Sequence, residues 1–243
     1  MRYVGGKERI AKWVVENLLE NKGGATRYVE PFVGGGAILT RMVDHFKTVE
    51  AGDSHEDLIL LLQAVAAGWL PPESVTKEEY AVAKNLPSSP LRGAIGFGSS
   101  WGGKWWGGYI GEQWDKFHQC YQPSRSSTTH RALLKAAPQL AKATFFHRSY
   151  DEWDVGDGDL VYCDPPYANT LGFNGTGCFD SAKFWDTARK WVEMGAIVIV
   201  SEEQGPDDWE VLAGRTRKAF LKVSGTTEND TRNEKLFIKG KAE

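Results

Sequence analysis

The chain has 243 residues, enough for one α/β core carrying an insertion. Its 41% hydrophobic and 25% charged content is ordinary for a globular protein, and a net charge of −3 argues against a dedicated nucleic-acid binder. No apolar run approaches the length of a membrane span, the first residues carry no apolar signal, and the three cysteines are widely spaced with no CxxC. A cytoplasmic protein with reduced thiols, no membrane segment and no metal site is expected.

Ile10, Trp13, Val14 and Leu18 fall at helical spacing and predict an amphipathic helix over 8–19. Residues 27–33 read as a strand stopped by Gly34-Gly35-Gly36. A helix follows from about Ala37 to Phe46, then a strand over 49–53 that ends on Asp53, then a helix from Leu58 to Ala67. Strand, glycine turn, helix, strand, acid, helix is the opening of a doubly wound α/β sheet.

Residues 71–142 break that pattern. Pro71-Pro72 and Pro87-Ser88-Ser89-Pro90 punctuate the start. Trp101, Trp105, Trp106 and Trp114 are then interleaved with six glycines, residues 123–130 read as a polar loop, and 131–142 as a helix. This stretch is expected to be an insertion between two parts of the sheet.

The pattern resumes with a strand over 144–147 and a strand over 159–163. The latter runs into Asp164-Pro165-Pro166-Tyr167. A helix from Phe184 to Met194 precedes the unbroken apolar strand 196–200, which suits a central strand covered on both faces. Strands over 218–223 and 235–239 close the chain. Charge is uneven: residues 97–148 hold seven Lys or Arg against two Asp or Glu. Either this marks a face for a polyanion or charge simply fluctuates along the chain.

Four motifs carry chemistry. Asp164-Pro165-Pro166-Tyr167 follows a strand, where open α/β sheets bind ligands. Its prolines remove two backbone donors, leaving the Asp164 carboxylate and the Pro165 carbonyl as acceptors beside the Tyr167 ring. Two acceptors and an aromatic face suit a planar amino-bearing base; the plainer reading is a rigid strand-ending turn. The glycines after Glu30-Pro31-Phe32-Val33 allow a ligand close to the backbone, but neither the phosphate-loop Lys nor the full dinucleotide spacing is present. A nucleoside-like ligand without a pyrophosphate fits better. Asp53 can accept from two ribose hydroxyls, or can cap the helix near His55. Lys7, in Tyr3-Val4-Gly5-Gly6-Lys7, can pair with a carboxylate or stay solvated.

Taken together and in this order, the four resemble the D12-class, Dam-like DNA adenine-N6 methyltransferases. Ser201-Glu202 and Arg232-Asn233-Glu234-Lys235-Leu236-Phe237-Ile238 are lesser echoes. The resemblance implies a Rossmann-like seven-stranded mixed-sheet fold. Residues 1–70 and 143–243 would form an S-adenosylmethionine-binding catalytic domain, with 71–142 an inserted DNA target-recognition region. It implies that Tyr3, Lys7, Glu30, Phe32, Gly34, Gly36, Asp53, His147 and Asp164 hold the cofactor. Asp164, Pro165, Pro166 and Tyr167 would act on an adenine flipped out of double-stranded DNA. Lys104, Lys116, Arg125 and Arg131 are the expected DNA contacts, and Ser126 to His130 could reach base edges.

Most of the tryptophans are expected to build a small local core. Cys163 ends a buried strand, reads as a small core residue, and is not preceded by proline as a cytosine-C5 nucleophile would be. N4-cytosine methylation and an inactive DNA-binding relative are the competing readings. A monomer in a bacterial or phage-infected cell, either an orphan enzyme or one paired with a restriction enzyme, is the expectation by analogy.

Overall fold

A computed structural model describes residues 1–115, 119–166, 179–218 and 231–240. In chain order the elements are helix α1 (Ala11–Glu20), strand β1 (Arg27–Glu30), the single turn α2 (Leu39–Met42) with a 3-10 turn behind it, and β2 (Thr48–Asp53). Next come α3 (Glu56–Ala66), α4 (Lys77–Ala83), α5 (Pro90–Gly98), the hairpin strands β3 (Gln113–Asp115) and β4 (Cys120–Gln122), and α6 (Arg125–Leu140). The chain continues through β5 (Thr144–His147), β6 (Asp159–Cys163), α7 (Ser181–Glu193), β7 (Ile197–Glu202), β8 (Glu210–Lys218) and β9 (Thr231–Lys239). Seven strands form a mixed sheet in the order β5-β2-β1-β6-β7-β9-β8, the fold class expected from the sequence.

The chain divides into two compact units: Met1–Ala11 with Glu30–Glu152, and Lys12–Val29 with Trp153–Glu243. In the first unit β2 and β5 pair in parallel, with Asp53 opposite His147 at their carboxyl ends. α3 buries Leu58, Ile59, Leu61, Leu62 and Val65, an apolar stripe wide enough to pack on more than one neighbour. α5 packs against it. The Arg92 guanidinium pairs with the buried Asp57, which also accepts from the Ser89 amide at 3.0 Å. The guanidinium also lies over the rings of Trp105 and Trp106. α5 carries Gly93 and Gly96, poor helix formers, because a Cβ at Gly93 would overlap the Asp57 carbonyl and one at Gly96 would overlap the Trp105 ring.

The end of the 71–142 stretch departs from the sequence reading. Residues 125–130 are not a loop; they are the first turns of α6, capped by the Ser124 hydroxyl, which accepts from the Ser127 amide at 3.2 Å. Ser126 and Thr129 are buried, and the Thr129 hydroxyl donates to the Gly98 carbonyl at 2.9 Å. Small hydroxyls thus take the inward positions that apolar residues usually mark. The tryptophans divide evenly. Trp105 and Trp106 are half-buried beside Phe97 and Tyr80, while Trp101 and Trp114 are 55% and 52% exposed.

In the second unit β1, β6 and β7 are parallel, and the antiparallel β9 and β8 follow at the edge. All five residues of β6 and all six of β7 are buried, as the unbroken apolar run predicted. α7 lays Phe184, Trp185, Ala188 and Trp191 inward at helical spacing. Arg27 is tied to Asp159 at 3.0 Å, fixing the start of β6 beside β1. The expected strand over 218–223 lies outside the described residues beyond its first position, where β8 ends.

Candidate active site

In the first unit the glycine turn, the end of β2 and the N-terminal segment meet. Gly34 and Gly36 have φ of +47° and +72°, backbone that an L side chain rarely adopts. The Tyr3 ring lies against this loop so closely that a Cβ on Gly34 would come 3.0 Å from its edge. The loop is tied to β2 by Val33 N–H donating to the Gly52 carbonyl at 2.9 Å and by Gly34 N–H donating to the Asp53 carboxylate at 3.2 Å.

Asp53 accepts a second amide, His55 N–H, at 3.0 Å. The N-cap position of α3 falls to His55, so Asp53 braces the approach to the helix without being its cap. Desolvation of the carboxylate pushes its pKa up to about 6, against the pull of the two amides and of the nearby His147. His147, at the end of β5, is exposed and bonded through Nε2 to the Ser54 carbonyl at 3.2 Å. Phe32 is half-buried and stacks on Tyr150, ring centroids 5.4 Å apart. Lys7 is only 3% exposed and Glu30 is buried, so the reading of Lys7 as a solvated terminal lysine does not hold.

Three aromatic residues not expected at the site belong to this region. Tyr150 supports Phe32. Phe97 packs on both Tyr3 (5.3 Å) and His55 (4.9 Å), and Trp105 packs on His55 at 4.3 Å. The imidazole is thus boxed by rings; burial lowers its pKa, and its Nδ1 has no hydrogen-bond partner among the described residues. A histidine two residues past Asp53 was a visible signal. Phe97 and Trp105 could be found only from the path of α5.

The basic residues of the 71–142 stretch are scattered. Lys104 and Arg131 are exposed. Arg125 is half-buried at the start of α6, where burial and then the charge of Arg2 lower its pKa. Lys116 lies outside the described residues, as does Tyr167.

In the second unit, β6 delivers Asp164, half-buried, and Pro165, buried, directly beyond its carboxyl end. Cys163, just before them, is fully buried in the strand, as expected of a core residue. On the neighbouring β7, Ser201 is fully buried and donates its hydroxyl proton to the Glu234 carboxylate of β9 at 2.6 Å.

Residues 3–86, which hold three of the four motifs but not Asp164-Pro165-Pro166-Tyr167, match the family model of the D12 class N6 adenine-specific DNA methyltransferases, and this bears out the resemblance. Over 69 residues, 27% of this chain and 24% of the relative, the sequence is 39% identical to the Type II methyltransferase M.MjaIII of Methanocaldococcus jannaschii; the shared stretch spans about a quarter of that protein. Over 233 residues, 83% of this chain and 79% of the relative, it is 26% identical to the DNA adenine methylase of Vibrio cholerae. Among solved structures, the magnesium protoporphyrin IX methyltransferase of Synechocystis with bound SAM aligns over 96% of this chain and 79% of its own, at 11% identity and a TM-score of 0.39.

Proposed function

We infer that this chain is a D12-class DNA methyltransferase that moves a methyl group from S-adenosylmethionine to the N6 amino group of adenine. One observation carries the reading: an acceptor-only Asp164-Pro165-Pro166 turn at the end of the wholly buried β6, in a chain whose residues 3–86 match that class.

Adenine N6 is a poor nucleophile because its lone pair is delocalised into the ring. Acceptors that take both of its N–H bonds favour a pyramidal nitrogen with the pair localised. The Asp164 carboxylate and the Pro165 carbonyl are assigned that role, and Tyr167 that of stacking on the base. A base inside the duplex is out of reach of such a turn, so it must be flipped out. S-adenosylmethionine supplies a methyl group already activated on a sulfonium, so the protein's work is positioning and electrostatic stabilisation.

The first unit suits that cofactor. A carboxylate has about four acceptor sites, and Asp53 spends two of them on amides, leaving capacity for the two ribose hydroxyls. The left-handed Gly34 and Gly36 let a ligand lie against the backbone. Tyr3 and the buried Lys7 are assigned to the methionine end, Glu30 and Phe32 to the loop that wraps it, and His147 to the adenine. Residues 71–142 serve as the target-recognition region on a catalytic framework of 1–70 and 143–243. Lys104, Lys116, Arg125 and Arg131 hold the phosphates of double-stranded DNA, and the enzyme works as a cytoplasmic monomer.

The test uses purified chain, methyl-labelled S-adenosylmethionine and unmethylated genomic DNA, digested afterwards to nucleosides. Label in N6-methyladenine, lost in Asp164→Ala, is the expected result. Label in N4-methylcytosine would move the substrate, and absence of both label and cofactor binding would overturn the reading.

A further inference from the structure

A guanidinium that is partly desolvated, set beside another cation and left without an acid is held at a cost. Arg125 is in that position. It is the first residue of α6, half-buried, and its Nε is enclosed without a hydrogen-bond partner among the described residues. Burial, and after it the positive charge of Arg2, hold its pKa below the usual guanidinium value. Neither arginine is paired with an acid among the described residues.

The backbone of the first unit brings the two together. Residues 99–110 form a closed loop: Ile110 N–H donates to the Ser99 carbonyl at 2.9 Å, Trp101 N–H donates to the Gly108 carbonyl at 2.9 Å, and Ser100 and Tyr109 are bridged between them. Arg125 hangs on one end of this loop by its own N–H, which donates to the Ile110 carbonyl at 3.4 Å. Arg2 lies on the same loop at Gly103. Val4 N–H donates to the Gly103 carbonyl at 3.3 Å, and a Cβ on Gly103 would come 2.5 Å from the Arg2 carbonyl. Gly103 also has a φ of +71°, so both its conformation and its neighbour exclude a side chain. The loop carries the exposed Lys104 and no acid. Next to Arg2, Tyr3 packs on the glycine turn of the candidate cofactor site.

What offsets two such cations is an anion that takes both at once. Guanidinium groups match the oxygens of a phosphate with parallel N–H bonds, and in the proposed function, on which this inference rests, the polyanion at hand is DNA. We propose that Arg2 and Arg125 form one clamp for a single DNA phosphate, which pins the strand on loop 99–110 beside the cofactor turn. The clamp fixes register and reads no base. It adds Arg2 to the DNA-binding residues, and it turns Arg125 from one of several scattered cations into half of a built site.

The experiment titrates a fluorescent unmethylated duplex with wild type, Arg2→Gln, Arg125→Gln, the double variant and Lys84→Gln, with S-adenosylhomocysteine present, over a range of salt. Melting temperatures of the free proteins and calorimetry with inorganic phosphate accompany it. Arg2 is exposed, so its variant tests the clamp without disturbing the core. The clamp predicts that each single variant loses about fivefold or more in affinity and about 0.9 in the slope of log affinity against log salt, the share of one phosphate. The double variant should lose no more slope than either single one, because one phosphate is lost once. The melting temperature of Arg2→Gln should hold or rise, since a repulsion is removed. Lys84→Gln, an exposed lysine just beyond α4, should bind the duplex as wild type does. A slope loss of about 1.8 in the double variant means two separate contacts and overturns the clamp. Wild-type duplex affinity in Arg2→Gln overturns it too, and both results leave the methyltransferase reading intact. A melting temperature that falls with affinity in Arg2→Gln marks a structural contact and overturns it. Inorganic phosphate bound by wild type and lost in the double variant, with duplex affinity unchanged, overturns DNA as the source of the phosphate. A wild-type chain that neither binds the duplex nor methylates it overturns both readings.

Discussion

Replacing Asp53 by asparagine should stabilise the protein and weaken its cofactor binding at the same time. The carboxyl has its pKa raised from 3.8 to about 6 because folding strips water from it. A group whose pKa is higher in the folded than in the unfolded chain contributes full stability below its unfolded pKa and loses it as pH rises through the folded one. The loss here spans a little over two pH units, and each is worth about 1.4 kcal/mol, so the ionised acid costs roughly 3 kcal/mol at pH 8. Asparagine sheds that cost but keeps one oxygen for two amides, Gly34 N–H on Oδ2 and His55 N–H on Oδ1, so one amide loses its acceptor and about 1–2 kcal/mol is given back.

Denaturant unfolding should therefore show Asp53→Asn more stable than wild type by about 1 kcal/mol at pH 8. The difference should shrink between pH 6 and 4 and reverse below, where the charge cost is gone and only the lost amide bond remains. Calorimetry with S-adenosylhomocysteine should show the opposite sign, with affinity about tenfold or more lower, since hydrogen bonds to a charged acceptor are the stronger kind. Wild-type affinity should fall below pH 6 as Asp53 protonates, while the variant's stays flat. A variant that is less stable at pH 8, or that binds the ligand as wild type does, would refute both the desolvation of Asp53 and its role at the ribose.

Other outcomes test other parts of the structure. Gly93→Ala drives a methyl into the Asp57 carbonyl and should cost about 2–3 kcal/mol of unfolding free energy, whereas a surface glycine with open space, such as Gly24, should tolerate alanine. Asp57→Ala leaves the Arg92 guanidinium enclosed without its carboxylate and should cost about 3 kcal/mol in the same assay. Arg125→Ala should weaken DNA binding at all sequences and reduce the slope of log affinity against log salt by about one, measured by fluorescence anisotropy. Trp101→Ala should leave stability within about 0.5 kcal/mol, because the ring is already mostly in solvent.

The sheet-forming parts on either side of 71–142 were legible in the sequence because periodicity and motif coincide there. β5 and β6 lie where their apolar residues put them, Asp53 ends β2 and Asp164 follows β6 as expected. The 71–142 stretch was less legible for a physical reason. α5 has Gly93, Gly96 and Gly98 where a helix normally shows side chains, so only Ser89 and Pro90, its N-cap and first residue, announced it. α4 was not expected either; its capping box of Thr76 and Glu79, and not apolar content, is the signal that could have found it. The start of α6 buries Ser126 and Thr129, so an apolar count reads it as a loop. His55, Phe97 and Trp105 come together only through tertiary packing, which no local window contains.

On the proposal that 71–142 is the target-recognition region, the glycines of α5 bear on how target preference can be altered. A helix so weak on its own forms because Asp57, Trp105 and Thr129 occupy the space its missing side chains leave. One of those three, Asp57, belongs to α3, four residues after Asp53. The surface that receives the stretch from 71 to 142 is therefore cut to the shape of one particular helix. A homologous segment grafted at 71 and 142 would meet an α3 that fits someone else's α5. Exchange of recognition segments should succeed only when the transplant starts upstream of Asp57 and carries the receiving helix with it.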